Sequence, residues 1–373
     1  MGIDLSLIWA VIIAFGVMMY VVMDGFDLGI GILFPFVKSE GERDVMMNTV
    51  APVWDGNETW LVLGGAALFG AFPLAYAVVL SALYLPLILM LLGLIFRGVA
   101  FEFRFKANTS RYLWNWAFAG GSAVAGFFQG VALGALVQGI PVENRAYSGG
   151  WWDWLTPYTL LTGLGTVAGY ALLGSTWLIW KLDGEEQAHA RKLAVRAAIA
   201  TIVLMGAVSL YNIALNADYA ARWLSAPEVY WVAPVPILTA IVALSMLRAI
   251  LKDRNSKPFW LGIALFFLGM SGLGVTIWPY AVPEALTIWD AAAAPDSLMI
   301  IFVGACAVLP IIIGYTGLFR CGFTQSAILV SHHGNKRRAK VNLYYAAVFR
   351  QRFDHVIIHV ALKARGITAQ RRM

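Results

Sequence analysis

The chain has 373 residues, of which 60% are hydrophobic and 13% are charged, and its formal net charge is +6. Apolar runs of about 20 residues recur along it, which is the length that a helix needs to cross a bilayer. This composition excludes an ordinary water-soluble globular protein. Backbone polar groups in lipid must be satisfied internally, and the runs are too long for barrel strands. The sequence therefore predicts an all-α polytopic membrane protein.

Nine membrane-spanning helices are predicted. Their approximate bounds, in chain order, are 7–35, 57–75, 77–100, 114–138, 156–180, 193–215, 231–250, 258–281 and 297–318. Lys and Arg concentrate at the odd-numbered loops, where Arg97 and Arg104 are counted, whereas the even-numbered loops hold only Arg145 and Arg222. Because cytoplasmic loops carry the excess of basic residues, the N-terminus is predicted outside and the C-terminus inside.

Two acids, Asp24 and Asp27, lie within the first predicted span. They are three residues apart and share one face of a helix. From an outside start, about 17 residues at about 1.5 Å each place Asp24 in the inner half of the membrane. Ionisable groups at that depth are costly and commonly functional. Two interpretations stand: a proton route from the cytoplasm, or a structural role in which the acids cap a helix break at Gly25 or pair with an arginine.

A second polar cluster, Pro52–Trp60, lies at the predicted cytoplasmic entrance to the second span. Its acids, Asp55 and Glu58, suit the entrance of a proton route. Their spacing also fits a capping box, in which side chains satisfy free backbone N–H groups at a helix start. The two roles are compatible.

The remaining polar side chains within the spans are predicted to form interhelical hydrogen bonds. They are Asn115, Ser122, Gln129, Gln138, Asn212 and Asn216. Histidine is absent before His189, which is predicted in a hydrophilic loop, and the other four histidines lie beyond residue 331. No predicted span therefore offers the most common haem ligand, and Met normally joins a His in haem ligation. We predict no haem ligand and no metal ligand in this chain.

The segment 317–373 differs from the preceding 316 residues. It holds 11 of the 27 Lys and Arg and a single acid, Asp354. The positive net charge therefore comes from this tail and gives no reason to expect nucleic-acid binding. A basic surface helix on anionic lipid and a disordered extension are both compatible with its composition.

Several motifs together resemble subunit II of the cytochrome bd family of quinol oxidases, including its cyanide-insensitive branch. They are DGFDLGIG at 24–31, APVWDGNETWL at 51–61, FRGVAFEFR at 96–104, WPYAVP at 278–283 and TIWDAA at 287–292. The match runs in order from residue 1 to about residue 316. After LPIIIGYT at 309–316 the chain departs from the family, and the sequence assigns no function to the tail.

The resemblance implies a bacterial inner-membrane terminal oxidase that oxidises quinol and reduces oxygen to water. It implies that two b-type haems and one d-type haem belong to a subunit I, and that subunit II forms an obligate heterodimer with it. Two four-helix bundles plus one further helix are implied for the fold. The sequence leaves open which quinone is used, whether one is bound structurally here, how sensitive the complex is to cyanide, and whether a small single-helix subunit joins.

By the same resemblance, Asp55 accepts protons near the cytoplasmic side, Glu58 lies beside it, and Asp24 and Asp27 are relay or structural acids. Trp54 and Asn57 would shape the entrance. Two other interpretations are an ion-coupled secondary transporter and a purely structural scaffold subunit. A transporter usually shows a repeat between its halves, and neither DGFDLG nor WDGNET has a convincing second copy. The scaffold predicts that Asp55→Asn costs little activity once assembly is normalised.

Overall fold

The computed structural model describes residues 4–331, with side chains described for residues 4–314. The chain divides after Ala305 into two units, and the packing given below is that of the first. Its α-helices are α1 (Leu5–Leu33), α2 (Glu40–Asn48), α3 (Trp54–Ala71), α4 (Pro73–Phe103), α5 (Arg111–Gln138), α6 (Pro157–Lys181), α7 (Gly184–Leu215), α8 (Ala217–Leu224), α9 (Glu228–Val232), α10 (Pro234–Leu251), α11 (Lys257–Ile277) and α12 (Pro295–Ser331). Phe34–Phe36 form one 3-10 turn after α1.

Two small antiparallel hairpins complete the described secondary structure. One pairs β1 (Val142–Glu143) with β2 (Ala146–Tyr147), and the other pairs β3 (Tyr280–Val282) with β4 (Leu286–Thr287). Both follow long helices. They lie in segments that the sequence assigns to outside loops.

Long helices coincide with all the predicted spans, with ends displaced by several residues. Within the described residues, seven helical segments are long and apolar enough to cross a membrane. They are Leu5–Phe36, Pro73–Phe103, Arg111–Gln138, Gly184–Leu215, Glu228–Leu251, Lys257–Ile277 and Pro295–Gly314. The protein is therefore an all-α, multi-pass membrane protein.

One predicted loop is helical. Helix α7 begins at Gly184 rather than near residue 193, so His189 lies on a helix and not in a loop. Glu185 and Glu186 occupy its first turn, where acidic side chains interact favourably with the helix dipole. The polar residues that precede the predicted span 193–215 thus form the first turns of α7, which extends beyond the apolar segment.

Helix α1 is the centre of the packing, and its second half is almost entirely buried. It contacts α3, α5 and α6. The contact with α6 is backbone on backbone, because a Cβ built at Gly29 would lie 1.8 Å from the carbonyl oxygen of Tyr170. A Cβ on Gly174 would in turn lie 2.5 Å from the carbonyl carbon of Gly29. Glycine at both positions is what allows the two helices to approach so closely.

The other helices pack around this pair. Helix α4 lies against α5, α5 against α6, α6 against α7 and α11, and α10 against both α7 and α11. At the opposite end of α1, the indole Nε1 of Trp9 donates to the carbonyl oxygen of Leu298 on α12 over 3.1 Å. These contacts hold the polar half of α1 beside the first turns of α3 and the last turns of α4.

Candidate functional site

The guanidinium of Arg97 is the centre of a buried cluster of charges contributed by α1, α3 and α4. Its Nη1 donates to Asp24 Oδ1 over 2.6 Å, and its Nη2 donates to Glu58 Oε1. The Arg97 and Asp24 side chains are essentially inaccessible to solvent, whereas the Glu58 side chain is 27% exposed. Arg97 therefore joins a partly exposed acid to a fully buried one.

The charges of this triad do not balance when both acids are ionised. Arg97 contributes one positive charge, and Asp24 and Glu58 together contribute two negative charges. A proton on either carboxyl makes the triad neutral, and burial strongly disfavours an uncompensated charge. The arrangement can therefore hold one proton on either of two carboxyls that share a cation.

Asp27 is held in a separate hydrogen bond on the same face of α1. The amide Nδ2 of Asn57 donates to Asp27 Oδ2 over 2.7 Å and to the carbonyl oxygen of Met23 over 3.2 Å. Asp27 also acts electrostatically on Arg97. The structure thus brings Asp24, Asp27, Asn57 and Glu58 into one cluster.

Asp55 is exposed in the first turn of α3, from which its charge acts on Glu58. Helix α3 begins at Trp54 with Val53 at its N-cap, so the predicted capping box of Asp55 and Glu58 is wrong. The reason is that the backbone N–H of Trp54 already donates to the carbonyl oxygen of Val50. Glu58 is consequently free to bond Arg97.

Trp54 shapes this end of the cluster. Its ring stacks on Phe101 at 4.8 Å between centroids, and the guanidinium carbon of Arg97 lies 6.0 Å from the Trp54 ring. Such a position over an indole face is attractive for a cation. Trp54 therefore lies beside the guanidinium of Arg97.

Two expectations about the acids are now decided. Helix α1 runs unbroken through Gly25, so the acids do not cap a helix break. Pairing with an arginine is confirmed for Asp24.

Arg97 and Arg104 are among the predicted loop charges, but both side chains are completely buried. The sequence signal for Arg97 was its place within an apolar run, inside the motif at 96–104.

A line of uncharged polar side chains adjoins Asp24. Gln129 on α5 donates from Nε2 to the hydroxyl oxygen of Tyr20, and the hydroxyl of Tyr170 on α6 donates to Gln129 Oε1, each over 2.5 Å. The predicted interhelical role of Gln129 is confirmed. Sequence reasoning did not find the two tyrosines, because a tyrosine in an apolar helix looks like packing.

Arg104 belongs to a second ion cluster. It donates to Asp44 Oδ1 over 2.6 Å and to Asn115 Oδ1 over 2.5 Å, and it contacts Glu40 over 3.0 Å. These bonds attach α2 to the adjoining ends of α4 and α5. Asn115 is confirmed as an interhelical hydrogen-bonding residue.

The side chains of the cluster do not fit haem ligation. His189 is the one histidine among the described residues, and its Nδ1 lies 2.8 Å from Glu42 Oε1, away from the buried acids. No group of three His, Cys, Asp or Glu that could hold a metal ion occurs in the part of the chain that the structure describes. The chemistry available at this site is hydrogen bonding and proton exchange.

The sequence between residues 5 and 321 matches the family model described as "Cytochrome bd terminal oxidase subunit II". The chain belongs to the cytochrome bd terminal oxidase subunit II family. It is therefore a subunit of a bd-type terminal oxidase, which has at least one further subunit.

Known relatives extend over most of this subunit II. It is 34% identical to cytochrome bd-I ubiquinol oxidase subunit 2 of Escherichia coli K12, with 84% of this chain and 92% of the relative covered. It is 29% identical to cytochrome bd ubiquinol oxidase subunit 2 of Bacillus subtilis 168, with 82% and 92% covered. The bd oxidase structure from Geobacillus thermodenitrificans has the same fold, with a TM-score of 0.73 and 18% identity over 86% of this chain and 99% of that one.

Proposed function

We propose that this subunit supports a haem-bearing subunit I and supplies a route by which protons from the cytoplasm reach the oxygen-reducing centre. As a bd-type oxidase subunit it serves a quinol:oxygen oxidoreductase complex. The two b-type haems and the d-type haem are assigned to subunit I in an obligate heterodimer, since the described part of this chain offers no fitting ligand set. The complex is assigned to the bacterial inner membrane.

The proposed topology follows from the helices and the basic loops. Nine spans, arranged as two four-helix bundles plus one further helix, place the N-terminus outside and the C-terminus inside. In that orientation the first turn of α3 and the last turns of α4 lie at the cytoplasmic side. Asp55 is then exposed to the cytoplasm, and Asp24 lies behind it in the membrane.

The contact of Arg97 with both Glu58 and Asp24 is the observation that carries the proposed route. Asp55 collects a proton at the surface, Glu58 takes it at the partly exposed edge, and Arg97 offers the same cation to Glu58 and to the buried Asp24. Asp27 belongs to the route as a second inner acid, oriented by Asn57.

Such a route couples the reduction of oxygen to charge separation across the membrane. If protons for water come from the inside while quinol releases its protons outside, charge crosses the membrane without a pump. Each elementary charge stores about 2.3 kcal/mol per 100 mV.

The test replaces Asp55 and Asp24 separately by Asn in the complex purified from native membranes. We expect oxygen consumption per haem, with quinol in excess, to fall at least about tenfold for each variant, equivalent to about 1.4 kcal/mol in the activation barrier. The haem spectrum should be unchanged, because the haems are assigned to subunit I.

Glu102→Gln is the matched control, since Glu102 is an exposed acid near the same end of α4 that pairs only loosely with Lys106, at 3.4 Å. Its activity per haem should equal that of the unmodified complex. Normal activity per haem in both the Asp55 and Asp24 variants would instead support the scaffold function.

A further inference from the structure

A line of three side chains runs from Asp24 into the packing of α1, α5 and α6, and the proposed route does not use it. It consists of Tyr20, Gln129 and Tyr170, joined by the two hydrogen bonds of 2.5 Å. Both tyrosines are buried, at 4% and 1% exposed. Buried polar groups are costly unless each has a partner, so such a line requires a reason for its presence in an apolar bundle.

The line ends at the carboxyl of Asp24. Tyr20 precedes Asp24 by four residues on the same face of α1, so its buried hydroxyl lies near the buried Asp24 carboxyl. Because Gln129 donates to the Tyr20 oxygen, the proton of Tyr20 remains available for Asp24. Oδ1 of Asp24 is taken by Arg97, while the buried Oδ2 has no partner of standard hydrogen-bond geometry among the described residues.

The donor and acceptor roles along the line can reverse. As described, Tyr170 donates to Gln129, Gln129 donates to Tyr20, and Tyr20 can donate to an ionised Asp24. If the amide of Gln129 turns over, Tyr20 donates to Gln129 Oε1 and Gln129 Nε2 donates to Tyr170. The Tyr20 oxygen then has a lone pair for the O–H of a protonated Asp24. Both hydrogen bonds of the line persist in the two directions, with Tyr170 changing from donor to acceptor.

We propose that Tyr20, Gln129 and Tyr170 are positioning residues that stabilise Asp24 in both of its protonation states, so that a proton can be loaded and released where water is excluded. The line does not itself conduct protons onward, since a carboxamide keeps its own N–H bonds. This inference rests on the proposed proton route through Asp24.

The groups that face Asp24 from the packed elements can be named. Tyr20 lies on α1, Arg97 on α4 and Glu58 on α3. Tyr170 lies on α6, behind Gln129 on α5. Phe266 of α11 stacks on the Tyr170 ring at 6.0 Å and adds no titratable group.

The experiment compares Tyr20→Phe, Gln129→Met and Tyr170→Phe in the purified oxidase complex, measuring oxygen consumption per haem as a function of pH. Loss of the Tyr20 hydroxyl removes a donor from the ionised carboxyl, so Asp24 holds its proton more tightly. We expect the pH at which turnover falls to half its plateau to move upward by about one unit in Tyr20→Phe, as loss of a hydrogen bond to a charged group predicts. The shift should decrease in the order Tyr20, Gln129, Tyr170.

Tyr219→Phe is the matched control. It also removes a buried tyrosine hydroxyl, one that donates to the carbonyl oxygen of Val137 over 2.9 Å and lies outside this line. Its pH profile should coincide with that of the unmodified complex. A purely structural role for the line predicts fewer assembled complexes with an unchanged profile per haem, and that result for Tyr20→Phe would overturn the inference.

An infrared difference spectrum, reduced minus oxidised, gives a second readout that does not depend on turnover. The carboxyl C=O band that disappears in Asp24→Asn should move in Tyr20→Phe and in Gln129→Met, and an unmoved band would contradict the inference. Asp24→Asn also distinguishes failure of the proposed proton route from failure of the positioning line alone. If it leaves turnover normal, the proton route itself is wrong; if it slows turnover while the Tyr20→Phe profile and band stay unchanged, only the positioning line is wrong.

Discussion

Arg97 determines how the buried acids of this chain can be tolerated. It is fully buried and lies within hydrogen-bonding distance of both Asp24 and Glu58. A buried ion pair adds little net stability, but removing one partner leaves an uncompensated charge and is strongly destabilising. The same residue therefore supports the structure and connects the two acids of the proposed route.

Replacement of Arg97 by Gln should reduce the stability of the complex, by about 3–5 kcal/mol for the loss of one partner of a buried pair. The measurement is the temperature at which the purified complex loses its haem spectrum. The double variant Arg97→Gln, Asp24→Asn should recover part of the loss, because the uncompensated carboxylate is then gone. A double variant less stable than Arg97→Gln alone would contradict this electrostatic account.

Asp4, at the N-terminal end of α1, gives a pH-dependent contribution that can be tested separately. Its carboxylate accepts from Trp289 Nε1 over 2.8 Å and from the backbone N–H of Leu7 over 3.0 Å. These bonds, led by the one from Trp289, lower the pKa of Asp4 below its ordinary value of 3.8. A lowered pKa in the folded state means that stability is present above the unfolded-state pKa and is lost as the pH falls through the folded-state pKa.

Asp4→Ala should therefore lower the thermal stability of the complex at neutral pH, and the difference from the unmodified complex should narrow below a pH of about 4. Asp4→Asn keeps an acceptor oxygen at the N-cap of α1 and removes the charge. The thermal stability of the Asp4→Asn complex should therefore lie between that of Asp4→Ala and that of the unmodified complex. A difference between Asp4→Ala and the unmodified complex that stays constant down to the lowest pH would show that the charge of Asp4 contributes nothing.

At the scale of helices, the close packing of α1 on α6 fixes where the buried acids lie. Gly29 meets the backbone at Tyr170, and Gly25 lies under the Tyr170 ring, where an added Cβ would be 2.7 Å from a ring carbon. The position of Tyr170 is thus set by two glycines that share the motif of Asp24 and Asp27. Packing and the polar line depend on the same stretch of α1.

Gly29→Ala should sharply reduce the amount of assembled complex. The new methyl group would meet the Tyr170 carbonyl at 1.8 Å, and helix backbones cannot yield locally as a flexible side chain can. Gly206→Ala on α7 is the matched control, since nothing lies within 4 Å of a Cβ at that position. Equal yields of haem-containing complex from the two variants would contradict the close helix contact.

The sequence predicted the positions of the helices and of the motif residues better than it predicted which helices and side chains contact one another. Apolar length located the long helices, and the motifs located Asp24, Asp27, Asn57 and Glu58. Periodicity does not show which helices touch, so the bond from Arg97 to Glu58 and the line through Gln129 could not be derived. The capping box failed for a local reason, since a preceding turn at Val50 started α3 two residues early.

At the scale of the whole molecule, the relation to the oxidase family covers residues 5–321 and ends five residues into the basic tail. The side chains of the tail lie outside the described residues. The buried acids, Arg97 and the polar line all lie within the matched region. The activity of the complex should consequently depend on the part of the chain that the family shares.

A chain that ends at Arg320 should assemble and reduce oxygen at the normal rate per haem. It keeps Leu298 on α12, whose carbonyl oxygen accepts from Trp9, and it keeps all but one of the residues that match the family. A chain that ends at Ala294 is the matched control, and it should fail to assemble because α12 and the Trp9 contact are gone. The measurement is haem content and oxygen consumption in purified membranes. Loss of assembled complex on truncation after Arg320 would show that the tail, and its positive charge, is needed for assembly.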